Sequence, residues 1–123
     1  MSSGEELPLD EIAAAAYEAV IIDKVRSAQV SRLLEVLEES QSVDIVLAFL
    51  AKQVSRNYWG PKSAQRLFNI LRDVEDVDKA RKILGLFKWL FEAGERARGR
   101  LPSPQRDLKG YFLMYVKGCL GGS

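Results

Sequence analysis

The sequence predicts an all-α fold, a compact bundle of five or six helices, and three observations predict it. Apolar residues recur at helical steps of three and four, as at Val30, Leu33, Leu34 and Leu37. No stretch alternates cleanly at period two, and the β-branched residues are scattered. Glycine, proline and short acidic runs interrupt the pattern where helices must end. At 123 residues the chain is long enough to bury a real core without disulfides or metal.

The first helix follows Leu7-Pro8-Leu9, with Asp10 and Glu11 placed to favour its positive N-terminal end. Its stripe is Ile12, Ala13, Ala16, Tyr17, Val20 and Ile21, and the run of four alanines permits close helix approach. Ser27 is placed to cap the second helix, which runs to the polar segment Glu38–Ser42. Ser42 or Asp44 opens a third, carrying Val43, Val46, Leu47, Leu50 and Val54, with Ile45 and Phe49 widening its apolar face. A helix apolar over so much of its girth is expected at the centre of the bundle. Gly60 ends it, and Pro61 suits the first position of a fourth helix through Ala64, Leu67, Phe68, Leu71 and Val74. The acids from Asp73 to Asp78 close that helix and cap a fifth, the longest, built on Ala80, Ile83, Leu84, Phe87, Leu90 and Phe91. Gly94, Gly99 and Pro102-Ser103-Pro104 are expected to end it. A last helix places Leu108, Phe112, Tyr115 and Cys119 in step. The expected organisation is a flexible N-terminus over 1–9, a helical domain over 10–98, a linker over 99–104, and a C-terminal helical extension over 105–123 whose Gly-Gly-Ser end frays.

Composition removes several function classes. There is no histidine, hence neither the commonest general acid–base nor the commonest metal ligand. Cys119 is alone, which rules out an intrachain disulfide and a Cys–His pair and suits a cytoplasmic location. The carboxylates sit in capping positions, no glycine-rich phosphate loop is present, and no enzyme activity, cofactor or metal is expected. No apolar run approaches a membrane span, so no membrane partner is expected. Eighteen basic against seventeen acidic residues leave a net charge of +1, so any nucleic-acid binding must come from local segregation of charge.

Cations at helix ends are the better lead. Arg26, Arg32, Lys52, Arg56, Lys62 and Arg66 lie off the apolar stripes, with Tyr58 and Trp59 interleaved in the turn before the fourth helix. Helix starts with nearby Lys and Arg suit phosphate, and an aromatic in the same turn suits a base. The plainer role is that of solvated helix ends, with Trp59 plugging the core. Arg96, Arg98, Arg100 and Arg106 form a second cluster, suited to an acidic partner or to solvating a linker. Trp89 falls on a second face of the fifth helix and, with Tyr58 and Trp59, is a candidate protein interface. A helix-turn-helix would use Asn57–Pro61 as its turn and Gln65, Arg66 and Asn69 as readers, but Leu67, Phe68 and Leu71 leave that helix only a narrow free face.

Three segments in order resemble the small helical subunit of type III-A CRISPR effector complexes. Arg26-Ser27-Ala28-Gln29-Val30-Ser31-Arg32-Leu33-Leu34 is similar to a Thr-Thr-Ser-Gln-Ile-Arg-Lys-like helix opening. Ser63-Ala64-Gln65 offers a second register for it. Val46 to Asn57 resembles an apolar helix with an Ala-Gly-Arg-like end, lacking the glycine. Phe87-Lys88-Trp89-Leu90-Phe91-Glu92-Ala93 resembles a late Phe-Phe-Glu-Ala-like signature. The resemblance covers roughly residues 10 to 98. It implies a non-catalytic scaffold that contacts the backbone of the duplex of guide and target RNA, other effector subunits and copies of itself. Arg32 and Arg56 come first among the implied phosphate contacts, then Lys52, with Arg26, Lys62 and Arg66 added by charge and position. The alternative is a helical oligomerisation or adaptor protein without nucleic acid.

Overall fold

Small side chains decide which helix is innermost. In the computed structural model, which describes residues 6–121, helix α1 (Leu9–Tyr17) has Ile12 and Ala13 to Ala16 all fully buried. Four successive alanines leave no bulky face, so α4, α5 and α6 all pack against α1. The chain leaves α1 through a π turn, Glu18–Ile22, closed by the Asp23 N–H on Glu18 O at 2.8 Å. This wider turn buries Glu18, Ala19 and Val20 together.

Helices α2 (Ser27–Ser40) and α3 (Val43–Ser55) form a hairpin joined at Gln41, a left-handed C-cap with φ 55°. Ser42 caps α3, its hydroxyl accepting from Ile45 N–H at 3.2 Å. Ser27 does not cap α2. Arg26 holds that position in extended conformation with no side-chain bond, and Ser27 is the first helical residue. Nor is α3 central: Val43, Val46, Leu50 and Gln53 are its buried residues, while Ile45 is half-exposed and Leu47 and Phe49 are partly exposed. Bulk on many sides marks a hydrophobic surface, not an inner position; the alanines of α1 are what neighbours can close upon.

Pro61 opens α4 (Pro61–Leu71), as its fixed φ and missing N–H favour. Asp76 caps α5 (Val77–Arg96), accepting from Asp78 N–H at 2.9 Å. Gly94 lies inside α5 rather than ending it, because the Tyr115 ring occupies the space a Cβ would need. A short 3-10 turn, Arg98–Arg100, follows.

Helix α6 (Tyr111–Cys119) is part of the core, not an appended extension. Tyr115 is fully buried and donates to Leu90 O at 2.7 Å; Tyr111 donates to Pro102 O at 2.7 Å. Asp10, in the first turn of α1, accepts from Gly110 N–H at 3.2 Å and Phe112 N–H at 2.8 Å, and so caps α6. The stretch expected as a linker is pinned too, Tyr17 Oη lying 3.0 Å from Ser103 Oγ. Leu7 is packed against the core, whereas residues 1–5 of the expected flexible start, and the last two residues of the Gly-Gly-Ser end, lie outside the described residues. Among the described residues there is no strand, and no helix is long and apolar enough to cross a membrane.

Candidate nucleic-acid interface

The helix directions sort the charges. Arg81 bonds Glu38, which sets the start of α5 beside the end of α2. Arg98 donates to Val20 O at 3.1 Å, which sets the far end of α5 beside the end of α1. One end of the bundle therefore carries Lys24, Arg26, Lys52, Arg56, Lys62 and Arg96, opposed there by Asp23, Glu92 and Glu95. The other carries Glu38, Glu39, Asp44, Asp73, Glu75, Asp76 and Asp78, opposed there by Lys79 and Lys82, with Arg72 and Arg81 paired to acids among them. A net charge near zero conceals this end-to-end separation.

At the basic end the α1–α2 and α3–α4 turns enclose a cleft of about 820 Å³. Lys24, Arg26, Gln29, Asn57, Tyr58 and Pro61 line it, with Trp59 and Gly60 behind. Two left-handed residues shape its walls, Lys24 at φ 53° and Asn57 at φ 65°. Asn accepts that conformation readily, whereas Lys sits there at a cost of about 1 kcal/mol. Arg26 is exposed in its N-cap position, and the Arg56 guanidinium lies over the Tyr58 ring at 5.2 Å.

The floor of the cleft is structural. Asp23 Oδ2 accepts from Ser63 N–H at 2.6 Å and from the Ser63 hydroxyl at 2.5 Å, capping α4 from outside the helix. Trp59 Nε1 in turn donates to Ser63 Oγ at 2.9 Å, and its ring stacks on Phe87 at 6.3 Å. Only Gly60 fits between, since a Cβ there would run into the Asp23 carboxylate.

The structure thus divides the nine side chains expected from sequence. Arg26 and Tyr58 line the cleft, Arg56 lies against the Tyr58 ring, and Lys52 and Lys62 are exposed on neighbouring helix ends. Arg32 stands further along α2, exposed, pairing with Glu35 at 3.1 Å and lying 5.7 Å over the Phe49 ring. Arg66 is occupied internally: Nε donates to Glu18 Oε1 at 2.9 Å and Nη2 to Oε2 at 2.8 Å, the Glu18 side chain being 4% exposed. That hydrogen bonding holds its pKa above the ordinary arginine value, against the effect of burial. Trp59 is 2% exposed and belongs to the core, so it offers no interface. Trp89, at 72%, stands out from α5. Gln29, which carries the resemblance of the first motif, accepts from Gln53 Nε2 at 2.6 Å and clasps α2 to α3. The late arginines are partly absorbed by carbonyls: Arg98 bonds Val20, and Arg100 bonds Gly118 O at 3.1 Å.

Asp23, Lys24 and Asn57 are polar lining residues that the sequence did not single out as binding residues. The left-handed conformation of Lys24 and Asn57 left no signal beyond the polar turn itself. Among the described residues no cluster of His, Cys, Asp or Glu is arranged to hold a metal, and no buried side-chain nitrogen or oxygen lacks a hydrogen-bond partner. The chain matches no family model, no curated protein and no solved structure.

Proposed function

We propose that this chain is a non-catalytic helical subunit that binds RNA through its sugar–phosphate backbone. The observation that carries the reading is the meeting of Lys24, Arg26 and Tyr58 around one cleft, with the Arg56 guanidinium over the Tyr58 ring, at the end of the bundle where cations gather. Neutralising phosphate needs exposed cations on one face, and the opposite, acidic end turns that face toward the strand. The narrower form of the reading is a small subunit of a type III-A CRISPR effector complex, with guide and target RNA, other effector subunits and copies of itself as partners. It is supported by the order of the three sequence motifs.

Reversing Arg26 and Arg56 together to glutamate tests the backbone binding. RNA affinity is expected to fall, and the salt dependence to flatten by about 0.7 in log–log slope for each phosphate of a single strand that is no longer neutralised. Unchanged affinity with an unchanged slope would remove the role. A second reading, an adaptor that does not touch nucleic acid, is favoured by the exposed Trp89 on α5 and by Leu113 and Met114 on α6. Self-association measured with and without RNA separates the two, since an adaptor assembles indifferently to RNA.

A further inference from the structure

Tyr58 has a setting that the binding of phosphate alone leaves unexplained. Tyr58 is 49% exposed and lines the cleft, while the neighbouring Trp59 is withdrawn into the core. The backbone holds it there: Asn57 turns left-handed, and Tyr58 N–H bonds Gln53 O at 2.9 Å at the end of α3. One face of the ring is covered by the Arg56 guanidinium, which leaves the other for the cleft. An aromatic fixed in a polar turn, backed by a cation, is a stacking platform for a planar, electron-rich group.

The rest of the cleft suits what is attached to such a group. Lys24 and Arg26 stand on the wall formed by the α1–α2 turn, facing the turn that bears Tyr58. The carboxylate within reach, Asp23, is tied into Ser63 and the first turn of α4. A volume of about 820 Å³ lies within the roughly 300–1,000 Å³ of sites that enclose a small-molecule-sized group, which is room for a nucleotide. Duplex RNA keeps its bases stacked on one another and offers such a platform nothing except at its ends. A single strand offers a free base face at each step.

We propose that the cleft takes an unpaired base of a single RNA strand, stacked on the open face of Tyr58, with the flanking phosphates on Lys24 and Arg26. The proposal rests on the backbone-binding reading above, not on its narrower form with paired guide and target, and narrows it to single-stranded over duplex RNA.

The test measures binding of the full chain, by anisotropy, to three probes. These are an unpaired RNA oligonucleotide, the same strand annealed to its complement, and the same backbone carrying abasic positions. The unpaired strand is expected to bind tightest. Tyr58→Ala is expected to lose about 5- to 100-fold on that strand and nothing on the abasic one, while Tyr58→Phe, which keeps the ring, retains binding. If Tyr58→Ala weakens intact and abasic strands equally, or changes neither, the stacking role is overturned and the backbone reading stands. Duplex bound as tightly as the unpaired strand overturns the proposal in the same way. If the unaltered chain binds none of the three, both readings fall together.

Discussion

Arg66→Ala separates a structural arginine from an RNA-binding one. Sequence position groups Arg66 with the cations around the fourth helix, but its guanidinium makes two hydrogen bonds to Glu18 inside the π turn. The two sides of this pair are unequally exposed, 28% for the Arg66 side chain and 4% for that of Glu18. Truncating the arginine therefore leaves a carboxylate almost without water and without its cation. Breaking a buried pair from one side costs about 3–5 kcal/mol. Against a total stability of about 5–15 kcal/mol that is a severe loss, worth roughly 10–20 °C in Tm for a chain of this size.

Urea denaturation of the full chain measures it, with RNA affinity taken on the folded fraction of the same sample. The expected outcome is a large fall in midpoint with the salt slope of RNA binding unchanged. Replacing the pair by apolar side chains of similar volume, Glu18→Leu with Arg66→Met, is expected to recover most of the loss, because the uncompensated charge goes with its partner. A fall below about 1 kcal/mol, accompanied by a flatter salt slope, would refute the reasoning and return Arg66 to the RNA-binding set.

Two further predictions probe the fold that presents the cleft. Gly94→Ala should destabilise the chain strongly, since its Cβ collides with the buried Tyr115 hydroxyl. Gly85→Ala, with nothing within 4 Å of the added methyl, should stabilise α5 by about 0.5–1 kcal/mol; thermal denaturation of the two variants checks both signs. Burial pushes the hydroxyls of Tyr111 and Tyr115 well above the ordinary tyrosine pKa, so the unfolded chain releases these protons first. Stability is then full below about pH 10 and falls above it, by up to about 1.4 kcal/mol per pH unit for each tyrosine. Tyr115→Phe should make that alkaline decline shallower, as urea midpoints between pH 9 and pH 11 would show, and an unaltered slope would count against burial as its cause.

The helices are legible in the sequence because their signals are local. Ser42, Pro61 and Asp76 announce the starts of α3, α4 and α5 through chemistry confined to one turn. Trp89 is likewise readable as an outward residue, two positions from the fully buried Phe87 and so on the far side of a helix. Long-range partners are not legible. Ser27 and Ser63 open two identical Ser-Ala-Gln triplets, yet Ser63 is buried and Ser27 exposed, because Asp23 reaches only the first turn of α4. Asp10 reads as a helix-dipole residue of α1, and nothing near it in the chain names α6 as the helix it caps. The centre of the bundle is hidden for a related reason. Alanine contributes little to any hydrophobic count, although its small size is what lets three helices close on α1.

The same distinction explains why six cations that look alike in the sequence have unequal parts in the site. Arg26, Arg56 and Lys62 sit at chain reversals and are exposed. Arg66, one turn further into α4, faces the π turn of α1 and meets Glu18. Arg32, in the second turn of α2, meets Glu35 along its own helix and Phe49 across the hairpin. Moving from the bundle end toward its middle thus converts a cation from a surface charge into a fold contact. What makes the end basic is the order of the chain itself: α2 and α4 begin there, while α1, α3, α5 and α6 finish there. Cations suit the negative helix C-termini, and at the two helix starts Arg26 and Lys62 stand where carboxylates are the stabilising choice. Those two charges oppose the local dipole, so helix stability does not account for them; the proposed phosphate contacts would.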